Sequence, residues 1–353
     1  MTTDVKSLVF ENREGMRLMG ILHRPVDYRR DIGVLILSPG IKSRVAPHRL
    51  YVKMANKFSN MGFSVLRFDP HGIGDSEGDV EERMAADFYG TVQVGRFVND
   101  TIDAMDWMQR EVGITRFVLT GLCGGAITGL LAGAMDRRVH MLMGLGMPVT
   151  LDNAKTDQTR YMTWGQLHDV RGTYLRKLLD PKAWGRFLTL KSDYRLILKS
   201  VATKRNNHGS RPRMNWTIQD AVRDDLRAEK SGASNNLNPY FPIAFHSMLE
   251  SRRVTLIFSG ADRLHWEFEE KYLGSHAKEF RRLQGNLDMH VIEKANHVLT
   301  FKEWQDEMLA ILASGLERFV ANAAQDWSLL YGLAAMAVAV LMGILAGWIG
   351  RRL

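Results

Sequence analysis

Along the first 150 residues, short apolar runs alternate with longer stretches of helical period. Gly33-Val34-Leu35-Ile36-Leu37, Ser64-Val65-Leu66-Arg67-Phe68, Arg116-Phe117-Val118-Leu119-Thr120 and Met141-Leu142-Met143-Gly144-Leu145 read as buried strands. Amphipathic stretches around 50–61, 91–112 and 124–135 lie between them. Such alternation predicts an α/β protein, a mostly parallel, doubly wound sheet with helices on both faces. Two later runs, 254–259 and 290–293, add strands, and a last amphipathic helix is expected over 302–319. Residues 1–148 and 251–322 thus form two parts of one core.

The intervening span, 149–250, shows no strand alternation and reads as a helical lid. Between 160 and 230 it holds sixteen Lys and Arg against seven Asp and Glu, a surplus of nine. The whole chain carries 47 basic and 39 acidic residues, a net charge of +8, so the rest is close to neutral. A basic surface over a sheet edge is either a solvated face or an attractor of anionic lipid or acidic substrate.

From Ser328 to Gly350 no residue is charged, and Trp327 and Trp348 stand near the two ends. A run of that length at ~1.5 Å per residue matches a hydrocarbon core of about 30 Å, which predicts a transmembrane tail over 327–350. Ala335, Ala339, Gly343 and Gly347 recur every fourth residue, and two spans could pair as a homodimer through this Gly343/Gly347 face. The beginning, Met1-Thr2-Thr3-Asp4-Val5-Lys6, lacks a secretory pattern, so the expected placement is a single-pass membrane protein with its main domain in the cytoplasm of a bacterium. Arg351-Arg352 argue the other way under the positive-inside rule, against the small load of three translocated residues.

Length and composition narrow the class. A chain of 353 residues, 45% apolar and 24% charged, can build a sizeable core and is not intrinsically disordered. Its single cysteine excludes a disulfide scaffold. A mean hydropathy of −0.19 excludes a polytopic membrane protein. No nucleic-acid motif is present, and neither a metal nor an organic cofactor is implied.

That cysteine lies in Thr120-Gly121-Leu122-Cys123-Gly124-Gly125-Ala126, where a buried strand runs into Gly-x-Cys-x-Gly and then a small-residue helix. This is the pattern of a nucleophile elbow with Cys in place of Ser. A helix N-terminus favours the thiolate, and the N–H of Gly124 would point at a developing oxyanion. Gly74-Asp75-Ser76-Glu77-Gly78 offers a competing Gly-x-Ser-x-Gly, but it follows its strand too late and no apolar helix comes after it. Ser76 is therefore read as part of a structural turn.

A thiol nucleophile needs a base and a group that orients the base. Asp262 follows the strand at 254–259, and His297 follows the strand at 290–293. The order Cys123, Asp262, His297 is nucleophile, acid, base. His71, His246, His265 and His290 compete with His297 but lack its position. Ser38-Pro39-Gly40-Ile41-Lys42, after the first strand, would supply a second oxyanion donor, the N–H of Ile41.

Together these residues resemble the α/β-hydrolase superfamily over roughly 5–320, with Pro39-Gly40, Asp69-x-x-Gly72-x-Gly74-x-Ser76, elbow, acid and histidine in turn. Within it the chain is similar to the hydrolases associated with bacterial exosortase (PEP-CTERM-type) systems, through Gly20-Ile21-Leu22-His23-Arg24-Pro25, 67–78, Gly121-Leu122-Cys123 and 174–187. That resemblance implies a link to export of polysaccharide or surface protein. The Gly-x-Cys-x-Gly element also resembles dienelactone hydrolases and polyhydroxyalkanoate synthases.

The expectation is a membrane-tethered α/β-hydrolase that cleaves an ester or thioester through a Cys123-His297-Asp262 triad and an acyl-enzyme. Its substrate would be a small-molecule or lipid-like acyl compound. An acyltransferase using the same Cys123 is the alternative, and a catalytically inactive scaffold is a third reading.

Overall fold

The computed structural model describes residues 3–26, 31–151 and 236–322. The strands are β1 (Thr3–Glu11), β2 (Arg17–Pro25), β3 (Ile32–Leu37), β4 (Ser64–Phe68), β5 (Arg116–Leu122), β6 (Val139–Leu145), β7 (Arg253–Ser259) and β8 (Leu287–Ile292). They form one sheet in the order β1-β2-β4-β3-β5-β6-β7-β8. From β4 onward every neighbouring pair is parallel, and only β1 and β2 run antiparallel. Every residue of β3 and β4 is buried, as strands covered on both faces require. β1 lies at the edge and leaves most of its residues exposed.

The helices are α1 (Leu50–Asn60), α2 (Ala85–Gln93), α3 (Val98–Val112), α4 (Gly124–Met135), α5 (Tyr240–Ser251), α6 (Arg263–Glu267) and α7 (Gly274–Leu283), with a π-helical turn at Phe268–Leu273 joining the last two. A further helix, α8, covers 302–322. The helix expected over 91–112 is two helices. Gly95, at φ +108°, adopts a left-handed conformation that no helix can continue, and α2 ends before it.

Helix α5 falls inside the span read as a lid, yet Phe241, Phe245, Met248 and Leu249 belong to the main hydrophobic core. The backbone closes on itself where the insertion leaves the sheet. Leu151 N–H donates to Asn236 C=O, Asn238 N–H donates to Val149 C=O, and Thr150 bridges Leu237. The Asn238 side chain then donates to Gln93 C=O at 2.7 Å, pinning this neck to the end of α2. Residues 152–235, most of the expected lid, lie outside the described residues.

The chain divides into two compact units, 1–308 and 309–353. Among the described residues no helix is long and apolar enough to cross a membrane, and none of the groups of His, Cys, Asp and Glu could hold a metal ion. The expected span 327–350, with its Gly343/Gly347 face, lies outside the described residues.

Candidate active site

Parallel pairing brings the expected site residues to one edge of the sheet. In register, Leu37 of β3 faces Gly121 of β5, Leu122 faces Leu145 of β6, Leu145 faces Ile257 of β7, and Ser259 faces Ile292 of β8. The loops after β3, β5, β7 and β8 therefore leave the sheet side by side. Ile41, Cys123, Asp262 and His297 sit on those four loops.

Cys123 is the residue between β5 and α4, with φ 52° and ψ −110°. For a residue with a Cβ this is a strained, sparsely populated conformation of the kind held at functional sites. The packing around it holds it there. Cys123 N–H donates to Leu145 C=O at 2.8 Å, and Leu122 N–H donates to the fully buried Tyr51 hydroxyl at 2.7 Å. On the other side α4 lies against β3 so closely that a Cβ on Gly125 would sit 2.2 Å from Leu37 O. Only glycine allows that approach. The thiol is partly exposed, and the first N–H groups of α4, which have no partner within a helix, lie beside it.

Asp262 caps α6, with Oδ1 accepting from Leu264 N–H at 3.4 Å and Oδ2 lying 2.6 Å from His297 Nδ1. The two loops are stitched together by backbone bonds, Gly260 N–H to Ile292 C=O and Ala261 N–H to Ala295 C=O. With Nδ1 taken by the buried carboxylate, the other nitrogen of the partly exposed ring is left for Cys123, which lies within electrostatic reach of the imidazole. Burial of the imidazole lowers its pKa, but Asp262, bonded to Nδ1, and the neighbouring Cys123 outweigh that and raise it to about 10. The group thus favours the charged imidazolium.

The competing residues have other partners. Ser76 donates its hydroxyl to Asp69 C=O at 2.6 Å and accepts from Met19 N–H at 2.8 Å, tying its loop to β2. His71 meets the buried Asp100 at 2.7 Å. His246 shares a hydrogen bond of 2.8 Å with the Tyr272 hydroxyl, and His265 lies 3.4 Å from Glu269. His290 is part of β8 itself.

The loop after β3 is built by residues that carry no catalytic signature. Ser38 donates to the carbonyls of Gly40 and Lys42. Arg44 pairs with the buried Asp69 and, at 2.7 Å, with Asp75. The Asp-x-x-Gly-x-Gly-x-Ser stretch is thus the clamp for the loop that carries Ile41. Tyr51 beneath the elbow and Tyr89 beside Gly40 also line the region. Neither could be singled out in the sequence, because each reads as an ordinary aromatic on an amphipathic helix.

Sheet order, elbow and the His297–Asp262 pair define an α/β-hydrolase fold. The Pyrococcus furiosus esterase Pf2001 superposes with a TM-score of 0.52 at 16% identity, covering 90% of this chain and 91% of the esterase. A second crystal form of that esterase gives 0.51 at 17% identity. By sequence, the polyketide transferase grgF of Penicillium sp. is 31% identical over 139 residues, 37% of this chain. The match spans 40% of that transferase. Residues 291–352 match the family described as "Putative transmembrane protein (Alph_Pro_TM)".

Proposed function

We propose that this chain is an acyl-transferring enzyme of the α/β-hydrolase fold that uses Cys123 as nucleophile. The observation that carries the reading is the 2.6 Å pairing of His297 with Asp262 at the same sheet edge as Cys123, which itself sits at a strained strand-to-helix turn. In this reading His297 accepts the thiol proton, and Asp262 fixes the ring. The thiolate attacks an ester or thioester carbonyl, and the N–H groups of Gly124 and Ile41 line the place where negative charge develops. His297 returns the proton to the leaving group, and the acyl-enzyme is released to water.

Release to an alcohol, amine or thiol is the second reading. The 31% identity to a polyketide transferase favours it, as does the ease with which a thioester intermediate passes its acyl group to another nucleophile. The match of 291–352 to a transmembrane family supports tethering by the tail, and the cytoplasmic face is the side proposed for the catalytic domain. The proposed substrate is a small-molecule or lipid-like acyl compound, and the exosortase-type resemblance links the reaction to export of polysaccharide or surface protein.

The test is alkylation by iodoacetamide and turnover of an acyl thioester in wild type, Cys123→Ala, His297→Ala and Ser76→Ala. Alkylation of Cys123 should slow at least tenfold in His297→Ala, since the base maintains the thiolate. Turnover should vanish in Cys123→Ala and persist in Ser76→Ala. Turnover surviving in Cys123→Ala overturns the assignment. Added alcohol or thiol capturing the acyl group separates transfer from hydrolysis.

A further inference from the structure

The turn that carries His297 is tied down on both sides. Upstream, Ala261 N–H donates to Ala295 C=O at 3.0 Å, which fixes the turn to the loop of Asp262. Within it, Leu299 N–H donates to Asn296 C=O, and Thr300 N–H donates to the Asn296 side chain. Leu299 then adopts φ +50°, a left-handed conformation that is costly for a residue with a Cβ. Downstream, its carbonyl accepts from the Gln305 side-chain amide, with Nε2 at 2.7 Å, in a buried hydrogen bond. A buried carbonyl left without a donor is costly, so this bond helps decide where the turn lies.

Gln305 lies in the first turn of α8 and is buried. Its Oε1 accepts from Lys53 Nζ, which reaches over from α1. A lysine ammonium can only donate. Lys53 therefore orients the amide, with the oxygen toward α1 and the NH2 toward Leu299. The same helix reaches the other half of the site. The Tyr51 hydroxyl, two residues before Lys53, accepts from the N–H of Leu122, the residue that precedes Cys123. Helix α1 thus has one hydrogen bond to the elbow and another, relayed by Gln305, to the turn of the base.

We infer that Gln305, oriented by Lys53, is a positioning residue for His297: by holding the Leu299 carbonyl it sets where the imidazole stands relative to Cys123. The two supports of the base have separate tasks. Asp262, 2.6 Å from Nδ1, fixes the rotation of the ring. Gln305 fixes the turn that bears it. It acts on the reaction only through His297, and the inference rests on the Cys123 reading. A shift of about 1 Å in a reacting group can cost on the order of 100-fold in rate, so one backbone bond at this turn matters to the chemistry.

The experiment compares wild type with Gln305→Glu and Gln305→Met. Gln305→Glu keeps the size and the acceptor for Lys53 but cannot donate to Leu299 C=O as a carboxylate. Gln305→Met keeps the volume and loses both bonds. The readouts are kcat and KM on an acyl thioester, the pH profile of Cys123 alkylation by iodoacetamide, and the melting temperature. In both variants kcat should fall about 10- to 100-fold with KM within about threefold. The alkylation midpoint should rise by about half a pH unit or more, as the thiolate loses its cationic partner. A lower melting temperature with wild-type kcat and alkylation profile overturns the inference, because Gln305 then only satisfies a buried carbonyl. Wild-type kcat in Gln305→Glu beside a loss in Gln305→Met also overturns it, since the bond to Leu299 would not matter. If neither variant folds, Lys53→Glu, at an exposed position, reverses the demand on the amide and turns its NH2 away from Leu299. A fall in kcat of about fivefold or more then supports the inference, and unchanged kcat overturns it. Failure of the Cys123 reading shows separately, as wild-type alkylation that is indifferent to His297→Ala.

Discussion

His297 Nδ1 and Asp262 Oδ2, which are 35 residues apart in the chain, lie 2.6 Å apart at the ends of two adjacent parallel strands. The carboxylate is buried and the ring is partly exposed, so in the proposed triad Asp262 would hold the tautomer that leaves the second nitrogen for Cys123. Asp262→Asn would offer an amide where an anion is needed. We expect kcat to fall about 10³- to 10⁴-fold with KM little changed, measured on an acyl thioester. A drop of less than about tenfold would show that the pair is structural.

The same pair predicts a pH dependence of stability. The folded pKa of His297, about 10, is above the unfolded value of 6.5. Its contribution is therefore full below pH 6.5 and lost as pH rises through about 10. The urea midpoint of wild type minus that of His297→Asn should be largest near pH 6 and shrink toward pH 10. A difference that stays constant over that window contradicts the assignment.

His23 works in the opposite direction. It is buried on β2, with Arg67 Nε donating to its Nε2 at 3.1 Å, and burial followed by the Arg67 charge lowers its pKa to about 4. The unfolded chain binds a proton that the folded chain refuses, so stability should fall as pH drops from about 6.5 to 4. His23→Gln should flatten this limb of the urea-midpoint profile. An unchanged acid limb would assign the loss to other groups.

Gly125 tests the packing that sets the elbow. A methyl group there would meet Leu37 O at 2.2 Å, and backbone cannot yield as a side chain can. Gly125→Ala should destabilise by about 3 kcal/mol or more, at the upper end of overpacking costs, and lower the melting temperature accordingly. A stable Gly125→Ala variant would refute this contact.

Ser76 separates structure from chemistry. Removing its hydroxyl leaves Met19 N–H and Asp69 C=O without their partner. Ser76→Ala should cost about 1–3 kcal/mol in chemical denaturation while kcat stays within about twofold of wild type. Loss of turnover in a well-folded variant would give Ser76 a catalytic part.

Features governed by local chemistry could be read along the chain. The buried strands 64–68 and 116–122 are short, mainly apolar runs, and the helix over 124–135 begins at the glycines that the turn before it needs. The shared position of Cys123, Asp262 and His297 was legible because each lies just past the end of a strand, and parallel strands deliver their C-terminal loops to a common edge.

Other features depend on contacts between residues distant in the chain, and no local period encodes them. The β1–β2 hairpin is half polar and takes its place only by pairing with the sheet. α5 has the same helical pattern as a lid element, but its phenylalanines find the main core. Tyr51 and Tyr89 are indistinguishable from other helix aromatics until folding places the hydroxyl of one under the elbow and the ring of the other against Gly40. Sequence determines which groups are available and at which turn. Distances such as the 2.6 Å between Asp262 and His297 are decided only by close packing of the whole sheet, because a hydrogen bond depends on geometry that no residue carries alone.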